Sequence, residues 1–125
     1  MQYMEVTNKS VQEVIDSLKE VAPRYKYGIQ HIHNVQETLK SKGIDLGNEC
    51  QIVDICNPIV AQNFLSEDMS LSIIMPCKIS VYTQDGETMI AMNSLVQLVD
   101  DINPDLIEIA QETQEVLLEI IDEIK

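Results

Sequence analysis

Cys77-Lys78-Ile79-Ser80-Val81-Tyr82-Thr83-Gln84-Asp85-Gly86-Glu87-Thr88-Met89-Ile90-Ala91-Met92 is the stretch that decides the fold. Cys77, Ile79 and Val81 alternate with Lys78, Ser80 and Tyr82, the period-two pattern of a strand with one buried face. Asp85-Gly86 supplies two residues that tolerate positive φ, as a type I′ turn requires. Residues 87–92 then return beside residues 77–83, so the region reads as an antiparallel hairpin.

Helix signals lie on both sides of this hairpin. Ser10-Val11-Gln12-Glu13 reads as a capping box, and Val11, Val14, Ile15, Leu18 and Val21 follow at helical spacing until Pro23. Asn34 with Glu37 repeats the cap for a short helix ending at Gly43. Asn57-Pro58 and Asn103-Pro104 each set a capping side chain before a proline, whose missing N–H is harmless in a first turn. Ser94 opens a further short helix to about Asp100. Strands over 2–7, 25–33 and 51–56 fill the gaps. The predicted class is α+β: a mostly antiparallel sheet of about five strands, helices mainly on one face, and an added C-terminal amphipathic helix.

The 125 residues suit one domain, and the 45% of apolar side chains suffices for a core. Charge is lopsided. Eight basic side chains oppose 21 acidic ones, for a formal net charge of −13, which argues against nucleic-acid backbones and anionic membrane surfaces as partners. No apolar run approaches the length of a membrane span, and residues 1–10 lack signal-peptide character, so the expected location is the cytoplasm. Three cysteines without an export signal make a disulfide framework an unsuitable reading.

Acid concentrates at the end of the chain. Residues 100–125 hold nine acidic side chains and only Lys125 as a base, so the chain divides into a core domain over 1–100 and an acidic helix over 101–125. Leu106, Ala110, Thr113, Leu117, Ile120 and Ile124 follow a 4-3-4-3-4 spacing, the seam of a helix that must pack on its own domain or on a dimer partner. At 1.5 Å per residue that helix is about 30 Å long, as wide as the domain.

Three constellations could carry chemistry. Cys56-Asn57-Pro58 places a thiol where a strand ends and a helix opens, beside free amides that lower thiol pKa. Met75-Pro76-Cys77 places a second thiol at the start of a strand, and the two sulfurs meet only if 51–56 and 77–83 are neighbours. Buried, inert sulfur is the simpler reading, because free cysteine is among the most buried residue types; a reactive thiol and a soft-metal ligand are the alternatives. Cys50 has no cap motif. His31-Ile32-His33 puts two imidazoles on one strand face, able to converge on a metal or anion, or else to stand solvated at a strand end. Two histidines fall short of zinc's ligand number, although a mixed set of His31, His33, Cys56 and Cys77 would reach it. Asp54, sharing parity with Ile52 and Cys56, reads either as a base with a raised pKa or as a hydrated edge carboxylate. There is no Ser-His-Asp arrangement, nucleophile elbow, phosphate loop or dinucleotide fingerprint.

The Cys56-Asn57-Pro58 step, the Pro76-Cys77 strand start and the stretch Ile32-His33-Asn34-Val35-Gln36-Glu37-Thr38-Leu39-Lys40-Ser41-Lys42-Gly43 together resemble the bacterial and archaeal family known as domain of unknown function 302. The resemblance spans about residues 3–100, with the helix after Asp100 outside it, and His33 stands where the family often has Asp. It implies a compact α+β domain similar to the TATA-box-binding-protein-like fold, usually as a homodimer. It carries over no catalytic residue and no cofactor; only Cys56 and Cys77 transfer as residues of interest.

The leading expectation is a non-enzymatic cytoplasmic homodimer that binds a small ligand or soft metal near Cys56, Asn57, Cys77, His33 and Asp54. One rival is a thiol redox or sulfur-transfer enzyme with Cys56 as nucleophile and Cys77 as resolving group. The other is an interaction module acting through the 104–124 helix.

Overall fold

The structure, a computed structural model, describes residues 2–125; residue 1 of the expected core domain lies outside them. The hairpin forms as its pattern dictates. β4 (Cys77–Gln84) and β5 (Glu87–Asn93) pair antiparallel, and Asp85 and Gly86 turn the chain at φ of 52° and 79°. Ile79 and Val81 are buried, while Lys78, Ser80 and Tyr82 face the other way.

Three further strands complete the sheet: β1 (Gln2–Thr7), β2 (Gly28–Asn34) and β3 (Cys50–Cys56). The order is β1-β5-β4-β3-β2, and every neighbouring pair is antiparallel. The strand expected from residue 25 begins only at Gly28. Pro23 sits in a 3-10 turn over Ala22–Tyr25, and Lys26 leaves that turn in the left-handed region, so the extended run starts after it.

The helices are α1 (Val11–Val21), α2 (Val35–Ser41), α3 (Pro58–Glu67), α4 (Leu95–Ile102) and α5 (Ile107–Ile124). Their caps follow the sequence. In the capping box of α1, Glu13 N–H donates to Ser10 Oγ at 3.1 Å and Ser10 N–H to Glu13 Oε1 at 3.0 Å. Asn34 accepts from Glu37 N–H, Asn57 from Ile59 and Val60 N–H, and Ser94 from Gln97 N–H. Asn103 accepts from Asp105 N–H, two residues on, so Pro104–Leu106 form a 3-10 turn and the α-helix proper starts at Ile107.

One core holds the molecule together. Val11, Val14, Ile15 and Leu18 of α1, Val53 and Ile55 of β3, and Ile79, Val81 and Ile90 of the hairpin are all buried. Leu106, Ala110, Thr113, Leu117, Ile120 and Ile124 are buried with them, so the 4-3-4-3-4 seam of the acidic helix packs on this chain's own core. Polar ties fix it there. Gln114 accepts from Ser94 Oγ and Val96 N–H and donates to the Tyr3 hydroxyl, and Lys9 Nζ donates to the Ile124 carbonyl at 3.0 Å. Toward β1 the opposite face of the sheet is open: Met4 and Val6 are about half exposed, at 47% and 50%. No helix among the described residues is long and apolar enough to cross a membrane.

Candidate functional site

Topology brings the two motif cysteines together. Ile55 lies opposite Cys77 in the β3–β4 ladder, so the chain leaves the sheet after Cys56 and returns at Cys77 beside its point of departure. The excursion between them is α3 followed by a 3-10 turn over Met69–Ile74, anchored in the core by Phe64 and Leu71. Gly28 lies opposite Cys56 in the β2–β3 ladder, which delivers Tyr27 to the same end of the sheet.

These residues line a cavity of about 30 Å³ whose walls include Tyr27, Cys56, Asn57, Phe64, Leu71, Met75, Cys77, Val99 and Thr113. That is room for roughly two waters or one ion. Polar atoms in its wall are mostly committed. Asn57 Oδ1 caps α3, and the Thr113 hydroxyl donates to the Ile109 carbonyl at 2.9 Å. The exception is the Tyr27 hydroxyl. Tyr27 is 3% exposed, and its hydroxyl oxygen has no hydrogen-bond partner. An unpaired buried hydroxyl costs about 1–3 kcal/mol. Sequence reasoning missed Tyr27, because nothing local marks a tyrosine before a strand as the floor of a pocket.

The cavity's electrostatics correct one expectation. Free amides at the start of α3 do not make Cys56 acidic, since the Asn57 side chain already occupies two of them, and burial pushes the Cys56 thiol up. Burial also pushes Cys77 up, to about 11, with the nearby Cys56 adding to the effect. The Tyr27 phenol is raised by burial and then by the two thiols. At neutral pH both cysteines are therefore protonated thiols rather than nucleophilic thiolates. All three cysteines are free.

His31, His33 and Asp54 lie elsewhere, on the sheet face away from the core. Asp54 stands opposite both His31 and Lys78 in its two ladders. It accepts from Lys78 Nζ at 2.8 Å and lies 3.4 Å from His33 Nε2. Its carboxyl is held below the usual range chiefly by the Lys78 hydrogen bond, against an opposing effect of burial. Asp54 is thus neither a base with a raised pKa nor a hydrated edge group, because a lysine that sequence could not pair with it is its partner. The two imidazoles meet edge to face, with ring centres 4.1 Å apart. The mixed set of His31, His33, Cys56 and Cys77 is not assembled: the two cysteines line the cavity, whereas the two histidines stand on the sheet face away from it. Among the described residues no group of three or more His, Cys, Asp or Glu could hold a metal ion. Of the expected ligand-binding residues, Cys56, Asn57 and Cys77 share the cavity, whereas His33 and Asp54 do not line it.

An antiparallel α+β sheet domain with a thiol-lined cavity under one end of the sheet is the class these features define. The chain belongs to the family described as "Domain of unknown function DUF302", which matches residues 2–124. The match runs through α5, which corrects the expectation that the helix after Asp100 lies outside the family. The chain is similar to a solved structure, an uncharacterized conserved DUF302 protein from Bacillus stearothermophilus. The identity is 30%, with 99% of this chain and 98% of that chain covered and a TM-score of 0.95. No curated protein matches.

Proposed function

We propose that this domain is a binding module rather than an enzyme, and that its ligand sits in the cavity between Cys56 and Cys77. The observation that carries this reading is the Tyr27 hydroxyl, buried and unpaired in the cavity wall. Buried polar groups without a protein partner are uncommon, and a bound water, ion or small ligand is a partner that would satisfy this one. The redox rival needs an acidic Cys56 thiol, and burial acts in the opposite direction. The cytoplasm is the proposed location, in keeping with three free cysteines. The test is NMR of methionine methyls and tyrosine rings during titration with soft metal ions and with neutral molecules of a few non-hydrogen atoms. At least one titrant should shift Met75 and Tyr27 while leaving Met4, on the open face, in place. A panel that moves neither residue overturns the reading.

The open sheet face supports a second proposal, that two copies of this chain associate through it. In a chain of net charge −13, the strand side chains across this face include Met4, Val6, Met89, Ala91, Ser80, Tyr82 and Ile52, and the Asp54–Lys78 ion pair stands toward one end. Two acidic molecules repel least where they meet through such a surface. Sedimentation should give a dimer for the native chain and a monomer for Val6→Glu. A monomeric native chain overturns the proposal.

A further inference from the structure

Three sulfur-bearing residues line the small cavity. Besides Cys56 and Cys77, its wall includes Met75, two residues before Cys77 on the returning segment. Thiolates and thioethers are soft donors that select copper(I) over harder ions. The oxygen donors nearby are spoken for: Asn57 caps a helix, and the Thr113 hydroxyl donates to a backbone carbonyl. We propose that the cavity binds a single copper(I) ion through Cys56, Cys77 and Met75, with Tyr27 donating a hydrogen bond to one of the thiolates. This rests on the reading of the cavity as a ligand site and names the class of ligand.

Size and ligand number agree. About 30 Å³ accepts one ion and excludes an organic cofactor. Zinc in a structural site takes four protein ligands of the His, Cys or carboxylate type, and no group of even three is present among the described residues. A soft monovalent ion accepts two thiolates and a thioether. Charge closes the argument. Binding releases two protons, one from each thiol, and no electron is transferred, so the loaded site carries one net negative charge in apolar surroundings. A buried anion needs a donor. Tyr27 has one unused, and it lines the same cavity as both thiols. The same hydroxyl, without a partner among the protein's own groups, acquires one when a thiol ionises.

Ile74, Met75, Pro76 and Cys77 form a wall shared with a second cleft of about 240 Å³, beside which Ile73 is 79% exposed.

The experiment is an anaerobic titration of the full chain with copper(I) in competition with bicinchoninate, followed by X-ray absorption at the copper edge. We expect one ion per chain and a first shell of sulfur only. Apparent affinity should rise about 100-fold per pH unit through neutrality, because two protons leave per ion bound. Cys56→Ser and Cys77→Ser should each lose at least about 100-fold in affinity and Tyr27→Phe about 10-fold, whereas Cys50→Ser should match the native chain. An oxygen or nitrogen first shell in the native protein overturns the proposal without relying on any variant, and so does copper binding that survives loss of both Cys56 and Cys77. If copper(I) fails to bind but a neutral titrant still shifts Met75 and Tyr27, the copper assignment falls and the ligand cavity stands. If no titrant shifts them, both fall.

Discussion

Lys78 and Asp54 stand directly opposite each other in the β3–β4 ladder, and the lysine ammonium donates to the carboxylate at 2.8 Å. The adjoining pair in the same ladder is Cys77 with Ile55, and it faces the other way. A single pair of strands thus carries an ion pair on its open face and a thiol on its covered face. The alternation separates the Asp54–Lys78 pair from Cys77, and Cys56 reaches the cavity from the last position of β3, where the chain turns into the Asn57 cap of α3.

That ion pair gives a pH dependence of known sign. Lys78 holds the Asp54 carboxyl below its usual range. A depressed folded-state pKa contributes stability that is complete above the unfolded value of about 4 and is lost as pH falls through the folded value. Asp54→Asn should therefore cost about 1 kcal/mol at neutral pH, a modest figure because Lys78 is more than half exposed. Urea midpoints of the two proteins should converge as pH drops toward 2. A gap that widens on acidification contradicts the assignment.

Tyr27→Phe offers the opposite sign. Deleting a hydroxyl that has no partner removes a desolvated group without breaking a bond, so the metal-free variant should be more stable by about 1 kcal/mol. The same change weakens ligand binding if the hydroxyl serves the occupant. Denaturant melts of apo protein, run beside the copper titration, read both effects. A destabilised apo variant means that the hydroxyl is already satisfied.

Local chemistry was legible in the sequence, and long-range pairing was not. The Ser10, Asn34, Asn57, Ser94 and Asn103 caps all form, because a cap involves residues two or three positions apart. Asp85-Gly86 turns as read because positive φ is a property of those two residues. Cys56 and Cys77 meet only because β3 pairs with β4, and Tyr27 joins them only because β2 pairs with β3. Neither pairing leaves a local trace. Asp54 was misread for the same reason, since Lys78 lies on a different strand. The seam of α5 was readable residue by residue, but periodicity carries no mark of whose core it fills.

Leu117→Ala tests whether α5 is core or contact surface. Leu117 is 2% exposed, at the centre of the seam. Truncating it should cost about 3 kcal/mol, within the range for buried leucines and small enough for a domain of ordinary stability to survive. The association state of the folded variant should match that of the native chain. Altered association without lost stability would make α5 an interaction helix after all.

Thiol reactivity distinguishes a binding cavity from a redox centre. Only the thiolate alkylates, so the rate at each cysteine follows its ionised fraction and its access. Burial places Cys77 at about 11 and moves Cys56 upward as well. Iodoacetamide labelling of the native chain, mapped by mass spectrometry, should be slow at both positions at neutral pH and should quicken throughout the alkaline range, with Cys77 slowest. In denaturant the three cysteines should label alike. A rate at Cys56 that levels off below about pH 8 would mean an acidic thiol. The protonated pair inferred from burial would then give way to a nucleophile and its resolving partner.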